Sequence, residues 1–215
     1  MLLARVLGGV VSALVGLRYG LGLYAWRVSN ALERPRYETL AQLDGGVEVR
    51  RYEPYNVAEA TMPAKTQRAA SAAGFRACAG YIFGKNRVRG LFAKAASRPM
   101  AMTAPVRMER SARATRMSFV MARNESLRSL PAPEDAVVRL RPVPAHAAAF
   151  VRFSGPPPSD ARVDRERARV EAALADSGYA AVAGAPTLTY GYHDPFATPN
   201  LLRRNEVGVY VRPRA

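Results

Sequence analysis

The stretch 47-VEVRRYEPYNVAEAT-61 decides the fold of this 215-residue chain. Two runs in it alternate apolar and polar residues, at 47–51 and 56–61, and Glu53-Pro54 between them is typical of a turn. An alternation with a period of two places one side of a strand against a core. The stretch therefore predicts a β-hairpin.

The pattern changes to a helical one after this hairpin. Across residues 66–83 the apolar side chains recur at intervals of three and four, and Gly84 is placed to end the helix. Two further runs, 100–108 and 115–123, have the pattern of strands. This half of the chain therefore has the order ββαββ.

The same order begins again after Pro131 and Pro133. Runs 137–141 and 146–153 predict strands, a helix with Ser159 or Asp160 as N-cap extends towards Gly178, and runs 188–192 and 206–211 predict strands. The repetition predicts an α+β domain with pseudo-twofold symmetry, in which curved antiparallel strands carry two helices. We expect a cleft between helix and sheet.

The N-terminal segment differs in character from the rest. Residues 6–26 are almost wholly apolar apart from Ser12 and Arg18, which is about the length that spans a bilayer as a helix. We divide the chain into a hydrophobic anchor or signal-like segment, 1–34, and a domain, 35–215. The favoured interpretation is a membrane anchor, with the domain on either side of the membrane. Cleavage to an exported soluble protein and a helix lying on a membrane surface are the alternatives.

Composition excludes several classes of protein. The formal charge of +15 comes mainly from arginine, and no motif of stacking aromatics or phosphate-binding glycines accompanies it, so we expect no nucleic-acid partner. The single cysteine, Cys78, excludes an internal disulfide and a four-cysteine metal site. No zinc spacing, P-loop, dinucleotide fingerprint or nucleophile elbow is present, so neither a metal site nor catalytic residues are predicted.

Five short strings together resemble the SOUL haem-binding proteins. They occur in the family's order and at fitting separations over residues 37–211. The strings are VEVRRY (47–52), YIFGKN (81–86), MTAPV (102–106), GYHDP (191–195) and RRNEV (203–207). The resemblance implies a distorted antiparallel β-barrel made of two ββαββ-like halves, here preceded by the hydrophobic N-terminal helix.

The resemblance also implies that haem or another porphyrin binds in an apolar cleft on the first helix, with basic residues pairing the propionates. The candidate binding residues are Ala72, Phe75, Arg76, Ala79, Phe83 and Met102. Arg68 is a second candidate for a propionate. Where some members of the family place an axial histidine this chain has Ala58, so no axial ligand is carried over.

Two histidines and one carboxylate are the other candidates for chemistry. His193, in the GYHDP turn, is either an iron ligand or a solvated turn residue, and His146 is interpreted as structural. Glu206 is interpreted as an ion-pair partner that fixes the preceding loop. The predicted function is a non-catalytic tetrapyrrole carrier, buffer or sensor. The alternatives are an effector-type module for other amphipathic molecules and, less favoured, an enzyme acting on tetrapyrroles through Glu206 or His193.

Overall fold

The computed structural model describes residues 2–63, 67–88 and 96–214. Within these residues lie three α-helices: α1 (Leu2–Ala31), α2 (Gln67–Ile82) and α3 (Asp160–Ala175). The strands, in chain order, are β1 (Tyr37–Leu43), β2 (Val47–Tyr52), β3 (Tyr55–Pro63), β4 (Asn86–Arg87), β5 (Val106–Arg110), β6 (Ala114–Val120), β7 (Ala132–Pro133), β8 (Val138–Val143), β9 (His146–Phe153), β10 (Tyr179–Ala181), β11 (Thr187–Gly191) and β12 (Asn205–Pro213).

One curled antiparallel sheet contains nearly all of these strands. Its order is β1-β2-β9-β12-β11-β5-β6-β3-β8, with β10 beside β12, while β4 and β7 pair separately. The two halves, β2-β3-α2-β5-β6 and β8-β9-α3-β11-β12, exchange their first strands, because β2 pairs with β9 and β8 pairs with β3. The predicted α+β fold of two ββαββ halves is confirmed.

The strand predicted at residues 100–108 begins later than its pattern indicates. β5 starts only at Val106. Before it, the backbone N–H of Met100 donates to the carbonyl of Ile82, and the N–H of Ala104 donates to the carbonyl of Glu33. These groups are therefore committed to the end of α2 and to the segment after α1, not to a strand of the sheet.

Both α2 and α3 pack on one face of the sheet. The core under α2 includes Ala58, Met117 and Ile82, and the core under α3 includes Val49 and Val170. Because side chains alternate along a strand, the residues between these core positions point to the opposite, concave face. Ser159 caps α3 as predicted, since its side chain accepts the backbone N–H of Arg162.

The cleft expected between α2 and the sheet is closed along the middle of the helix. A Cβ added to Gly74 would lie 2.8 Å from the Cβ of Met117, so the helix backbone touches β6. The thiol of buried Cys78 lies 3.5 Å from the carbonyl oxygen of Ala58 on β3. Small residues on the inner side of α2 let it sit directly on the sheet, and the outer side of the helix faces away from the sheet.

The N-terminal helix is present, but the predicted membrane anchor is wrong. Among the described residues, no helix is both long enough and apolar enough to cross a membrane. Arginines interrupt the apolar run, and Arg18 donates to the backbone carbonyls of Phe196 and Ala197 at 3.1 and 3.0 Å. Gly22 lies against Pro199 in the same loop. The second half of α1 therefore attaches to the loop between β11 and β12.

Candidate functional site

The outward side of α2 carries an exposed apolar surface, which we call the α2 outer face: Ala72, Phe75, Arg76, Gly80 and Phe83. Ala72 and Arg76 are exposed, and the Phe75 and Phe83 side chains are 40% and 66% exposed. These residues recur every three or four positions, so they share one side of the helix. Since the neighbouring helical residues are mostly alanine and glycine, part of each aromatic ring is exposed to solvent.

The six predicted binding residues divide into two groups. Ala72, Phe75, Arg76 and Phe83 lie together on the α2 outer face, with the Phe75 ring packed edge-on against the ring of Phe119, 5.3 Å between centroids. Two more, Ala79 and Met102, lie against the core under α2, where Ala79 is buried and Met102 partly buried. The side chain of Arg68 lies outside the described residues.

The end of α2 adds a second cation that sequence reasoning missed. Gly84 has a φ of 113°, and the N–H of Lys85 donates to the carbonyl of Gly80 at 2.8 Å, which is the hydrogen bond of a Schellman C-cap. A Cβ on Gly80 would lie 3.1 Å from Cδ of Lys85. The aliphatic stem of Lys85 therefore crosses the helix at Gly80, one turn from Arg76. In the sequence, Gly84 was the signal from which this C-cap, and with it the position of Lys85, could have been predicted.

Arg76 and Lys85 are two unpaired cations beside this apolar surface. Among the described residues, neither has a carboxylate within ion-pair distance, whereas Arg110 on β5 and Arg167 on α3 each reach an acidic residue of α3. Asn86, the next residue, is buried and ties the end of α2 to the backbone of Arg98. The YIFGKN string thus combines a helix stop with two exposed side chains, Phe83 and Lys85.

Within the part of the chain that the structure describes, the α2 outer face carries no side chain of a type that commonly ligates iron. Cys78 and Tyr81 are the residues of α2 with donor atoms suited to iron, and both are buried on its inner side. Burial raises the pKa of the Cys78 thiol to about 12, which keeps it protonated. The neighbouring stretches 64–66 and 89–95, outside the described residues, contain no histidine, cysteine, methionine or tyrosine in their sequence.

Neither histidine lies on the α2 outer face. Nδ1 of His193 accepts the backbone N–H of Arg204 at 2.9 Å, so the ring hydrogen is on Nε2 and no lone pair remains for iron. Nδ1 of His146 faces the carbonyl of Pro144 at 2.9 Å, and its ring stacks on Tyr52 on the concave side of the sheet. The proposed iron-ligand role of His193 is therefore inconsistent with its hydrogen bonding.

A buried polar network around Glu206 occupies the concave face. The fully buried carboxylate accepts hydrogen bonds from Arg50 at 2.8 and 2.9 Å, from the Tyr192 hydroxyl at 2.7 Å and from Arg204 at 2.6 Å. Burial would raise the pKa of Glu206, but the hydrogen bonds and charges of Arg50 and Arg204 outweigh it and lower the pKa. This carboxylate is ionised, and both of its oxygens already accept hydrogen bonds from these side chains. The arrangement matches the role of an ion-pair partner.

A second network fills the middle of the same face. Arg107, 1% exposed, pairs with Glu109 and donates to the hydroxyl of Tyr210. Glu109 also pairs with Arg116 at 3.0 Å. Burial raises the pKa of Glu109, yet the charge of Arg107 and the hydrogen bond from Tyr210 lower it on balance. The centre of the concave face is thus occupied by the protein's own side chains.

Three of the five strings noted in the sequence meet in the Glu206 network: Arg50 and Tyr52 come from the first, Tyr192 from the fourth, and Arg204 and Glu206 from the fifth. A model of the SOUL heme-binding protein family matches residues 32–210. The chain belongs to this family. Three of the strings that resemble SOUL proteins thus contribute to the concave network, and the YIFGKN string borders the α2 outer face.

Solved structures similar to this SOUL protein share its fold at low identity. The C-terminal domain of EcmrR has a TM-score of 0.57 and 10% identity, covering 83% of this chain and 99% of that one. An uncharacterized conserved protein from Listeria innocua has a TM-score of 0.55 and 11% identity, covering 77% and 92%. A protein from Listeria innocua described as a hydrolase has a TM-score of 0.52 and 10% identity, covering 77% and 91%. No curated protein matches the sequence. These similarities show the fold alone.

Proposed function

We propose that this SOUL protein binds haem or another tetrapyrrole on the α2 outer face, as a non-catalytic carrier, buffer or sensor. The observation that carries the proposal is the pair of exposed rings, Phe75 and Phe83. They are flanked by two cations, Arg76 and Lys85, that have no ion-pair partner among the described residues. Membership of the SOUL family supports a ligand of this class.

The arrangement matches the chemistry of a porphyrin. Phe75 and Phe83 are eight residues apart, about 12 Å along the helix, so a flat macrocycle lying on the helix covers both rings. Each 100 Å² of apolar surface removed from water contributes about 2.5 kcal/mol. Arg76 and Gly80, over which Lys85 lies, are about 6 Å apart. Two propionates on one edge of the ring can therefore each meet a cation.

The residues present fit the ring and its carboxylates, and affinity on this face does not depend on the metal. Bound haem would bring a redox-active iron to the surface. Ala72 and Gly80 leave room for the macrocycle plane, Phe75 and Phe83 exclude water from it, and Arg76 orients its acidic edge. We therefore expect metal-free protoporphyrin to bind about as well as haemin.

The α2 outer face is favoured over the concave face for a physical reason. At the centre of the concave face, Arg107, Glu109 and Tyr190 are nearly inaccessible and bonded to one another. A ligand there would have to displace charged side chains from their partners. An effector-type module binding other amphipathic molecules inside the barrel remains the alternative outcome of the test.

The test is an absorbance titration of the full chain with haemin and with metal-free protoporphyrin. A saturable Soret change near one equivalent is expected for both. Phe83→Ala should weaken binding roughly tenfold, because it removes an aromatic contact of about 1.4 kcal/mol. Phe196→Ala is the matched control, since Phe196 is 85% exposed in the distant loop between β11 and β12.

The cations are tested in the same assay. Arg76→Gln/Lys85→Gln should weaken protoporphyrin binding at least tenfold and leave the binding of its dimethyl ester, which lacks the carboxylates, unchanged. Arg139→Gln/Arg212→Gln, at two exposed residues on β8 and β12, is the control for the loss of two positive charges. Non-saturating spectra with both porphyrins would overturn the proposal. Thermal stabilisation by other amphipathic compounds alone would favour the effector-type alternative.

A further inference from the structure

Basic side chains converge at one end of the concave face, around the turn that follows β11. We call this group the His193 cluster: His193, Arg34, Arg152, Arg203 and Arg204. Arg34 follows α1, and its guanidinium lies 5.2 Å from the centre of the Tyr192 ring. Arg152, near the end of β9, is the register partner of Glu206 on β12. Three separate segments of the chain, which carry Arg34, Arg152 and the pair 203–204, thus bring positive charge to the turn that contains His193.

Two hydrogen-bond donors in this cluster are buried and have no acceptor. Nε2 of His193 carries the ring hydrogen, because Nδ1 accepts the N–H of Arg204. Among the described residues, neither this Nε2 nor Nε of Arg34 has a hydrogen-bond partner. A buried donor without an acceptor destabilises the folded protein, so such atoms require an explanation. Both unmet atoms are donors, and they belong to neighbouring side chains.

The positive charge of the cluster is only partly neutralised. Arg204 pairs with Glu206, and Arg203 donates to the backbone carbonyls of Thr198 and Pro195. Among the described residues, no carboxylate lies within ion-pair distance of Arg34 or Arg152. The nearby carboxylate of Asp194 caps the backbone N–H groups of Phe196 and Ala197.

The surroundings of His193 lower its pKa to about 4. Burial of the ring is the largest cause, and the positive charges of Arg34, Arg152, Arg204 and Arg203 lower the pKa further. At neutral pH the ring is therefore an uncharged N–H donor surrounded by guanidinium groups. This field favours a ligand that is negative and accepts hydrogen bonds.

We propose that the His193 cluster binds a small phosphate-type oxyanion, held between the Arg34 guanidinium, the Nε2–H of His193 and Arg152. Three donors arriving from different segments suit a tetrahedral anion with several acceptor oxygens better than a planar carboxylate with two. Arg34 and His193 are half-buried and Arg152 is exposed, so the anion approaches from solvent with a turn of the Arg34 side chain. The anion is either free phosphate or the phosphate group of a larger molecule.

Binding would add a second link between two parts of the protein that already touch through Arg18. Arg34 belongs to the segment that leaves α1, and His193 belongs to the loop that accepts Arg18. An anion between Arg34 and His193 therefore ties the exit of α1 to that loop. It should raise the melting temperature, and it should raise the pKa of His193 because a negative neighbour favours the imidazolium.

The proposal is tested by histidine-detected ¹H–¹⁵N NMR during a titration of the full chain with inorganic phosphate. His146 and His193 are the two histidines in the sequence, so His193→Gln assigns both signals. We expect a saturable shift of the His193 signal, an unchanged His146 signal, and an upward shift of the His193 pKa. Sodium chloride at matched ionic strength should not reproduce these changes.

Variants and a second ligand locate the site. Arg34→Gln should weaken phosphate binding, measured by the shift of the His193 signal, at least tenfold. If this variant folds poorly, Arg152→Gln replaces it and should weaken binding in the same way. Arg27→Gln on exposed α1 is the control. A titration with glycerol 2-phosphate distinguishes a site that admits phosphate monoesters from one restricted to free phosphate, and acetate tests the preference for a tetrahedral anion. A His193 signal that does not move with either phosphate compound, or moves equally with chloride, would overturn the proposal.

Discussion

Replacing Glu206 with glutamine should strongly destabilise the protein. The side chain is 0% exposed and Arg50, its main partner, is 2% exposed. The substitution keeps the shape but leaves a buried guanidinium facing a neutral amide. Breaking a buried pair costs about 3–5 kcal/mol. Because Glu48 stays 2.6 Å from Arg50, we expect the lower end, about 3 kcal/mol.

The assay is urea unfolding followed by far-ultraviolet circular dichroism at pH 7. Glu171→Gln is the matched control, since its i,i+4 pair with Arg167 is well exposed and should contribute no more than about 0.5 kcal/mol. The folded state lowers the pKa of Glu206 below its unfolded value. Its contribution is therefore complete above the unfolded carboxyl pKa and is lost as the pH falls through the folded one.

This pH dependence makes the reasoning refutable. The stability gap between the parent protein and Glu206→Gln should be widest near neutral pH and should narrow in acid. A loss below about 1 kcal/mol at pH 7, or a gap that stays constant down to acid unfolding, would show that the ionised carboxylate does not stabilise the fold in this way.

Two further outcomes are expected. Gly208→Ala should destabilise by about 3 kcal/mol or more, because the new Cβ would lie 2.4 Å from the carbonyl oxygen of Ala149, whereas Gly178→Ala meets nothing within 4 Å and should be nearly neutral in the same urea assay. Cys78, fully buried and with a raised pKa, should resist a thiol reagent at pH 8 until urea unfolds the chain; rapid labelling of the native protein would contradict its placement.

The positions of strands and helices along the chain were predictable where a local hydrophobic period marks them. The alternation at 47–61 and the recurrence at 66–83 gave β2, β3 and α2 within a few residues, since burial of one side imposes the period. β1 was missed, although it pairs with β2 along its whole length. Its residues are largely exposed at the edge of the sheet, so no apolar alternation marks them.

The candidate site was predictable only in part. The helical spacing of Phe75 and Phe83 placed both on one side of α2, but it did not say which side faces solvent. That was decided by Gly74, whose lack of a side chain lets the opposite side touch Met117. Lys85 was missed because its position depends on the backbone turn at Gly84, which folds the lysine back over the helix.

By itself the sequence determined the resemblance to the family, the ββαββ order of each half and the apolar spacing of α2, because these are written in short local patterns. Only the tertiary structure decided that Arg50 and Glu206, 156 residues apart, share one buried ion pair. It also decided that α1 docks on the loop between β11 and β12 through Arg18. Contacts of this kind arise from the closure of a curled sheet, which no local period encodes.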